Sequence, residues 1–361
     1  MTATRLNRPR FDVVGFGALN LDHIYAVPQL IQDGGVEVLT SAAQPGGSAA
    51  NTIYGLAKLG LRCGFVGVVG DDCAGEAILK SFEEVGVDTS SILVRPGTKS
   101  GQTICITAGQ GQKAIYIIPG ANSLLDSRDI NLTYLSDTRY VHLSSFVGEQ
   151  AFSQQMRMVE KLPPQTKVSF ALDAVCARQG LKAIGGLLGR CALLFANADE
   201  LRQLTGQEVP DAAHTCLDMG CEAVVVTFGS GTQQNHRRSL LGDEEITASM
   251  IVTRHGRGRS RWPIEHTVPA VRTHRHEVVD TVGAGDAFAA GFLFGLLSRR
   301  YGLAKCGGLG HTAAEFSLTK LGARPGLPTR QDLLTRFDES FRSFFGGEGR
   351  SRPVLNSMQA G

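Results

Sequence analysis

The chain has 361 residues, 42% of them hydrophobic, and carries 36 Lys and Arg against 34 Asp and Glu for a formal net charge of +2. That apolar share is ample for one large α/β domain or two ordinary ones, while the near balance of charge gives no basic field, so neither nucleic acid nor a membrane surface is an expected partner. No stretch approaches the ~18 apolar residues of a membrane span, and Met1 to Arg10 is basic with no apolar run behind it. The eight cysteines at 63, 73, 105, 176, 191, 216, 221 and 306 include no Cys-x-x-Cys pair. Buried free thiols in a soluble cytoplasmic protein are therefore expected, not disulfides or zinc.

In chain order, the strand-like Phe11-Asp12-Val13-Val14 leads into Gly15-Phe16-Gly17-Ala18-Leu19-Asn20-Leu21-Asp22. The glycine spacing suggests a dinucleotide turn, but the third glycine is missing and no helix follows. Asp22 instead ends the segment with a carboxylate suited to gripping hydroxyls. Pro45-Gly46-Gly47-Ser48-Ala49-Ala50-Asn51-Thr52 then opens a helix with apolar positions 53, 56, 57 and 59 and a stop at Gly60.

Short apolar runs at Gly64 to Val69, Tyr140 to Leu143, Lys167 to Leu172, Ala192 to Ala196 and Ala223 to Thr227 alternate with helical patterns such as Gly75 to Val85 and Asp211 to Met219. This is the rhythm of a doubly wound, mainly parallel sheet with helices on both faces. Asp22 to Ala43 and Gly101 to Pro119 break it, and the latter reads as a hairpin pairing 103–107 with 114–118. From Gln233 to His276 the chain is polar, with Arg254, Arg257, Arg259, Arg261, Arg272 and Arg275 and five of the nine histidines, and reads as a solvated insertion over about 233–270. The glycine- and serine-bearing tail 346–361 reads as frayed.

The densest signal is Val278-Val279-Asp280-Thr281-Val282-Gly283-Ala284-Gly285-Asp286-Ala287-Phe288. Val278 and Val279 suit a strand end, and a buried helix starts near Asp286 and runs to about Leu297. The amides of Gly283, Ala284 and Gly285 can converge on an anion, aided by the positive end of the helix dipole. Asp286 is then either the base that takes a proton from an attacking hydroxyl or simply the cap of the helix.

Together, in this order, Gly46-Gly47-x-x-x-Asn51 and Asp280-Thr281-x-Gly283-Ala284-Gly285-Asp286-Ala287-Phe288 resemble the ribokinase-like (PfkB) family of carbohydrate and nucleoside kinases. The resemblance spans about Asp12 to Pro328 and includes Gly67-Val68-Val69-Gly70-Asp71-Asp72, Ala121-Asn122, Asn197-Ala198-Asp199-Glu200, Thr227-Phe228-Gly229-Ser230-Gly231 and Lys320-Leu321-Gly322-Ala323. It implies one ribokinase-like domain over 11–330, with a small β-sheet lid built from about 20–43 and 100–120. Such a lid excludes water from a kinase that must not hydrolyse ATP.

The resemblance also implies an ATP-dependent kinase acting on a hydroxymethyl group of a small sugar, with a nucleoside as the runner-up acceptor and a catalytically inactive binding paralogue as the alternative of another class. Asp22, Gly46, Gly47 and Asn51 would hold the acceptor, with Asp286 as base and Gly283, Ala284 and Gly285 cradling the transferred group. Asn197 and Glu200 would manage Mg²⁺ and phosphate, Glu200 through water. Thr227, Gly229 and Gly231 would border ATP, with the adenine between them and His311 to Gly322. Asp280 and the backbone of Val282 would bind a monovalent cation, K⁺, and the lid would pair two copies in a homodimer. Ser48 stands where many ribokinases have lysine, and Ser144, Ser145 and Phe146 where they tend to have glutamate, which disfavours ribose. Tyr116 or Phe146 would stack on a nucleoside base or else belong to the core.

Overall fold

The computed structural model describes residues 9–108, 112–229, 248–254, 264–269 and 278–345. Strands β1 (Phe11–Phe16), β2 (Asn20–Ala26), β3 (Thr40–Gly46), β4 (Cys63–Gly70), β5 (Asp88–Arg95), β6 (Gly101–Thr107) and β7 (Lys113–Ile118) make up the amino-terminal part. β8 (Thr138–Ser144), β9 (Lys167–Ala171), β10 (Cys191–Asn197), β11 (Ala223–Thr227), β12 (Ala248–Thr253) and β13 (Ile264–Pro269) follow. The helices are α1 (Ser48–Lys58), α2 (Cys73–Glu83), α3 (Leu132–Ser136), α4 (Glu149–Lys161), α5 (Ala174–Ala177), α6 (Gly180–Leu188), α7 (Ala198–Thr205), α8 (Val209–Asp218), α9 (Ala284–Leu297), α10 (Leu303–Ser317) and α11 (Arg330–Phe345).

One sheet has nine strands in the order β13-β12-β11-β10-β9-β8-β1-β4-β5, parallel from β11 to β5 and antiparallel at β12 and β13. β1 and β4 are buried at every residue. Strands covered on both faces have no polar side to show, which is why they stand in the sequence as continuous apolar runs. From β1 the chain builds outward to β5 on one side and from β8 to β11 on the other. Strand order thus reverses between β1 and β8, and a crevice opens beyond their carboxyl ends.

The second sheet, β3-β2-β6-β7, is the small sheet that the family resemblance implied for the stretches 20–43 and 100–120, here termed the lid. It is fastened to the main sheet at the exit of β1. Asn122 accepts the Leu19 N–H at 3.0 Å and donates to the Leu19 carbonyl at 2.9 Å and to Asn20 Oδ1 at 3.0 Å. A Cβ on Gly101 would lie 2.1 Å from Asn122 Nδ2, so the lid strand can start there only as glycine.

The core lies on both faces of the large sheet. α4, α6, α7 and α8 pack on one face, and α1, α2, α9, α10 and α11 on the other. α9 is apolar nearly all round because it is wedged against α1 and α10. Gly291 lets α10 approach, since a Cβ there would sit 2.4 Å from the Leu309 carbonyl oxygen. All eight cysteines are free, seven buried and Cys73 exposed. Among the described residues no helix is long and apolar enough to cross a membrane.

Two expectations need correction. The stretch 233–270 is not wholly a solvated insertion: β12 and β13 within it extend the main sheet, with Met250, Ile251 and Val252 buried. The short apolar run 250–252 was swamped by the glycine, arginine and histidine around it. Val278 and Val279 are exposed and belong to no strand, and the Val279 and Asp280 N–H groups bond to the Leu318 carbonyl instead. Residues 230–247, 255–263, 270–277 and the tail 346–361 lie outside the described residues, and with them most of the insertion's arginines and Gly231.

Candidate active site

Asp286 sits in the first turn of α9, where the sequence places it. Gly283 caps the helix at φ 78°, and a Cβ there would press to 2.3 Å from that of Ala323. Only glycine makes this turn without strain. The Ala287 N–H is the first to bond back, to the Gly283 carbonyl at 2.9 Å. Helix geometry therefore leaves the Gly285 and Asp286 amides with no intrahelical partner. The Ala284 N–H meets the Thr281 carbonyl at 3.4 Å, which leaves the Gly285 and Asp286 amides as the open donors of the Gly283–Asp286 turn. Nothing stands within 4 Å of where a Gly285 Cβ would be.

α1 delivers the partners of the carboxylate. Gly47 at φ 105° turns the chain into the helix, and the Ala49 N–H donates to Ser144 Oγ at 3.1 Å, seating the amino end of α1 at the carboxyl end of β8. Ser48 Oγ donates to Asp286 Oδ1 at 2.7 Å, Asn51 Nδ2 to Asp286 Oδ2 at 3.0 Å and Thr52 Oγ1 to the Asp286 carbonyl at 3.3 Å. Gly55 lets α1 lie against α9, with Ala290 Cβ 3.0 Å from the position its own Cβ would take. Burial raises the Asp286 carboxyl to about 6 even though the Asn51 and Ser48 hydrogen bonds pull it down. Ser48 and Thr52, which bond to Asp286, and Arg324, whose Nε donates to Asn51 Oδ1 at 2.9 Å, escaped the sequence reading in these contacts. Only the Asn51 spacing, one helical turn beyond Ser48, hinted that α1 turns a polar face to α9.

On the lid side, Asp22 of β2 is buried and accepts from Thr103 Oγ1 of β6 at 2.7 Å. Burial raises its carboxyl despite that bond. A Cβ on Gly46 would fall 1.8 Å from Asp22 Oδ2, so glycine at 46 is what lets this carboxylate lie along β3. Asp22, Gly46, Gly47, Asn51 and the Gly283–Asp286 turn thus converge where the lid meets the crevice.

Of the remaining predicted residues, Asn197 and Thr227 end the neighbouring strands β10 and β11. Asn197 and Glu200 form a reciprocal capping box on α7: Asn197 Oδ1 accepts the Glu200 N–H at 2.8 Å and Glu200 Oε2 accepts the Asn197 N–H at 2.8 Å. Burial moves the Glu200 carboxyl up to about 7, and Asp173 and Asp286 add to the rise. Thr227 ends β11 in register with Asn197, and Gly229 follows at φ 63°. Asp280 is buried with both oxygens engaged, accepting the Val282 N–H at 3.0 Å and the Gly322 N–H at 2.8 Å. His311, at the start of the stretch expected to border the adenine, is buried, 2.8 Å from Ser249 Oγ, and burial lowers it to about 4. Phe146 is also core, edge-on to Phe16 at 5.9 Å. A surface depression between Leu132 and Gln165 lies at the amino ends of β8 and β9, the opposite end of the sheet from these carboxylates.

A carboxylate in the first turn of a helix with open amides, beneath a small sheet at the switch point of a parallel one, suits a phosphotransferase with an alcohol group as acceptor. A family model described as pfkB family carbohydrate kinase matches residues 10–232 and 240–330, and the chain belongs to that family. It is similar to an uncharacterized sugar kinase of Archaeoglobus fulgidus, 31% identical over 281 residues, 77% of this chain and 100% of that one. It is also similar to the ribokinase of Haemophilus influenzae, 26% identical over 341 residues, 88% of this chain and 95% of that one. Among solved structures, a putative ribokinase II from E. coli in complex with ATP and Mg²⁺ matches with a TM-score of 0.72 at 17% identity, covering 91% of this chain and 99% of that one. The Burkholderia thailandensis nucleoside kinase in complex with inosine matches with a TM-score of 0.71 at 21% identity, covering 91% and 97%. At these identities the two structures speak for the shared ribokinase-like fold.

Proposed function

We propose that this chain transfers the γ-phosphoryl group of ATP to a hydroxymethyl group of a small sugar, with Asp286 as general base. The observation that carries the reading is the double grip of Ser48 and Asn51 on a carboxylate held beside unpartnered helix amides. As the acceptor oxygen bonds to the γ-phosphorus, the bond from phosphorus to the bridging oxygen breaks, ADP leaves and the acceptor proton passes to Asp286. Gly283, Ala284 and Gly285 would surround the transferred group, and the open space at Gly285 fits a phosphate oxygen where a methyl would intrude. Asp22, Gly46, Gly47 and Asn51 would hold the acceptor hydroxyls.

Mg²⁺ would neutralise the phosphates during transfer. Glu200, next to Asn197 at the end of β10, would reach the ion through water, and a bound cation would favour the ionised carboxylate that burial disfavours. Thr227 and Gly229 would border the nucleotide, and Gly231 belongs to the same expectation. The ATP complex of the E. coli neighbour supports the nucleotide, and K⁺ at Asp280 and Val282 rests on the family resemblance alone. A nucleoside is the second acceptor class, favoured by the inosine complex of the Burkholderia neighbour. A homodimer through the lid is supported by its edge strand β7, where Ile115, Tyr116, Ile117 and Ile118 are all exposed.

The test is a thermal-shift and ADP-release panel of sugars and nucleosides with Mg²⁺ and ATP or its unhydrolysable analogue. ADP release above background with one acceptor class supports the reading. A folded protein that binds ligands but releases none points to an inactive binding paralogue.

A further inference from the structure

Arg324 lies between α10 and α11 and is only 6% exposed. No carboxylate among the described residues comes within ion-pair distance of it. Its Nε donates to Asn51 Oδ1 at 2.9 Å and its Nη1 to Ser81 Oγ at 2.9 Å, while the guanidinium lies 4.9 Å from the Tyr54 ring centre and 5.3 Å from that of Phe82. Nη2 is buried with no hydrogen-bond partner. A guanidinium sequestered this way is expensive unless it does something. Burial brings its pKa down only to about 10, so it stays charged at neutral pH.

We propose that Arg324 is a positioning residue that acts through Asn51 to fix which atom of that amide faces Asp286. Arginine carries donors only, so the Asn51 atom against Nε must be the carbonyl oxygen. Nδ2 is thereby turned to Asp286 Oδ2, 3.0 Å away, where it stabilises the ionised carboxylate. If the amide flipped, its oxygen would face a carboxylate oxygen and disfavour the charged form. Asp22 from β2 and Glu200 from α7 also disfavour that charge, while Lys113 from β7 and the guanidinium of Arg324 favour it. Tyr54 and Phe82 hold the guanidinium plane so that it cannot swing away from Asn51.

The kinetic consequence rests on Asp286 being the base, but the hydrogen-bond chain does not, so the test begins without substrate. Carboxyl-carbon NMR of the ligand-free protein, with the Asp286 signal assigned by its loss in Asp286→Asn, gives the titration midpoint directly. Arg324→Gln should raise that midpoint by about one pH unit, and in an Asn51→Ala background the same change should move it by less than half as much. With an active acceptor, the acid limb of kcat/KM should move by the same amount. A merely structural arginine would lower the melting temperature and leave the midpoint in place, which would overturn the proposal. Should Arg324→Gln not fold, the Nε–H resonance of Arg324 in the unaltered protein decides: it should follow the Asp286 titration and go flat in Asp286→Asn. A flat resonance in the unaltered protein contradicts the coupling.

Discussion

Ser48 Oγ donates to Asp286 Oδ1 at 2.7 Å, a bond between residues 238 positions apart that ties α1 to the first turn of α9. With Asn51 on the other oxygen, the carboxylate is held from one side by a single turn of α1. Ser48→Ala should leave the Asn51 bond in place and reduce kcat by roughly 3- to 10-fold, about 1 kcal/mol for one hydrogen bond. The acid limb of the pH profile should rise, because a donor to the charged form is lost.

The pH dependence follows from the same burial. With the Asp286 carboxyl at about 6, kcat/KM should fall about tenfold per pH unit below that value and level off above it. The stability effect has the opposite sense. The folded-state pKa lies above the ordinary 3.8, so the ionised carboxylate disfavours the fold above about pH 6, and the penalty fades as pH falls toward 4. Asp286→Asn should therefore melt higher than the unaltered protein at pH 8, and the gap should close near pH 4. Calorimetry at the two pH values checks it.

The two glycines of the cradle should part company. Gly283→Ala forces a left-handed φ and a 2.3 Å contact with Ala323, which should lower stability by about 1–3 kcal/mol. Gly285→Ala meets nothing within 4 Å in the ligand-free protein. It should melt normally yet lose on the order of 10²-fold in turnover, because its methyl takes the place of a phosphate oxygen. Equal loss of stability in both would remove Gly285 from the cradle.

Much of this was legible in the sequence because it is local. The runs that became β4, β8, β9, β10 and β11 are apolar enough to announce buried parallel strands, and the glycine-spaced turn before Asp286 carries its own backbone requirements. What the sequence hid is pairwise and distant. Nothing local to Ser48 says it will meet Asp286, and nothing in Gly322-Ala323-Arg324 says the arginine will turn inward onto Asn51. The capping box of Asn197 and Glu200 was legible in spacing but was read only for its metal chemistry. β12 was missed because averaging composition over 233–270 buries a short apolar run among charges.

The place of β12 in the sheet decides what a deletion should do. Removing 234–259 takes β12 out of the sheet with Met250, Ile251 and Val252, each worth about 1.5–3 kcal/mol of burial. The sum rivals a typical domain stability of about 5–15 kcal/mol, so this variant should fail to fold. Removing 234–245 spares β12 and should leave a cooperative unfolding transition by circular dichroism.

Turnover and binding measured side by side in Asp286→Asn test the central claim most directly. Asparagine keeps the size and can still accept from Asn51 Nδ2, with its own amide donating to a Ser48 hydroxyl that turns to accept, but it cannot take the acceptor proton. Titration calorimetry should show ATP and acceptor binding within a few-fold of normal, while turnover falls by roughly 10²- to 10⁴-fold. Near-normal turnover in a folded variant would contradict the account and leave Asp286 as the cap of α9.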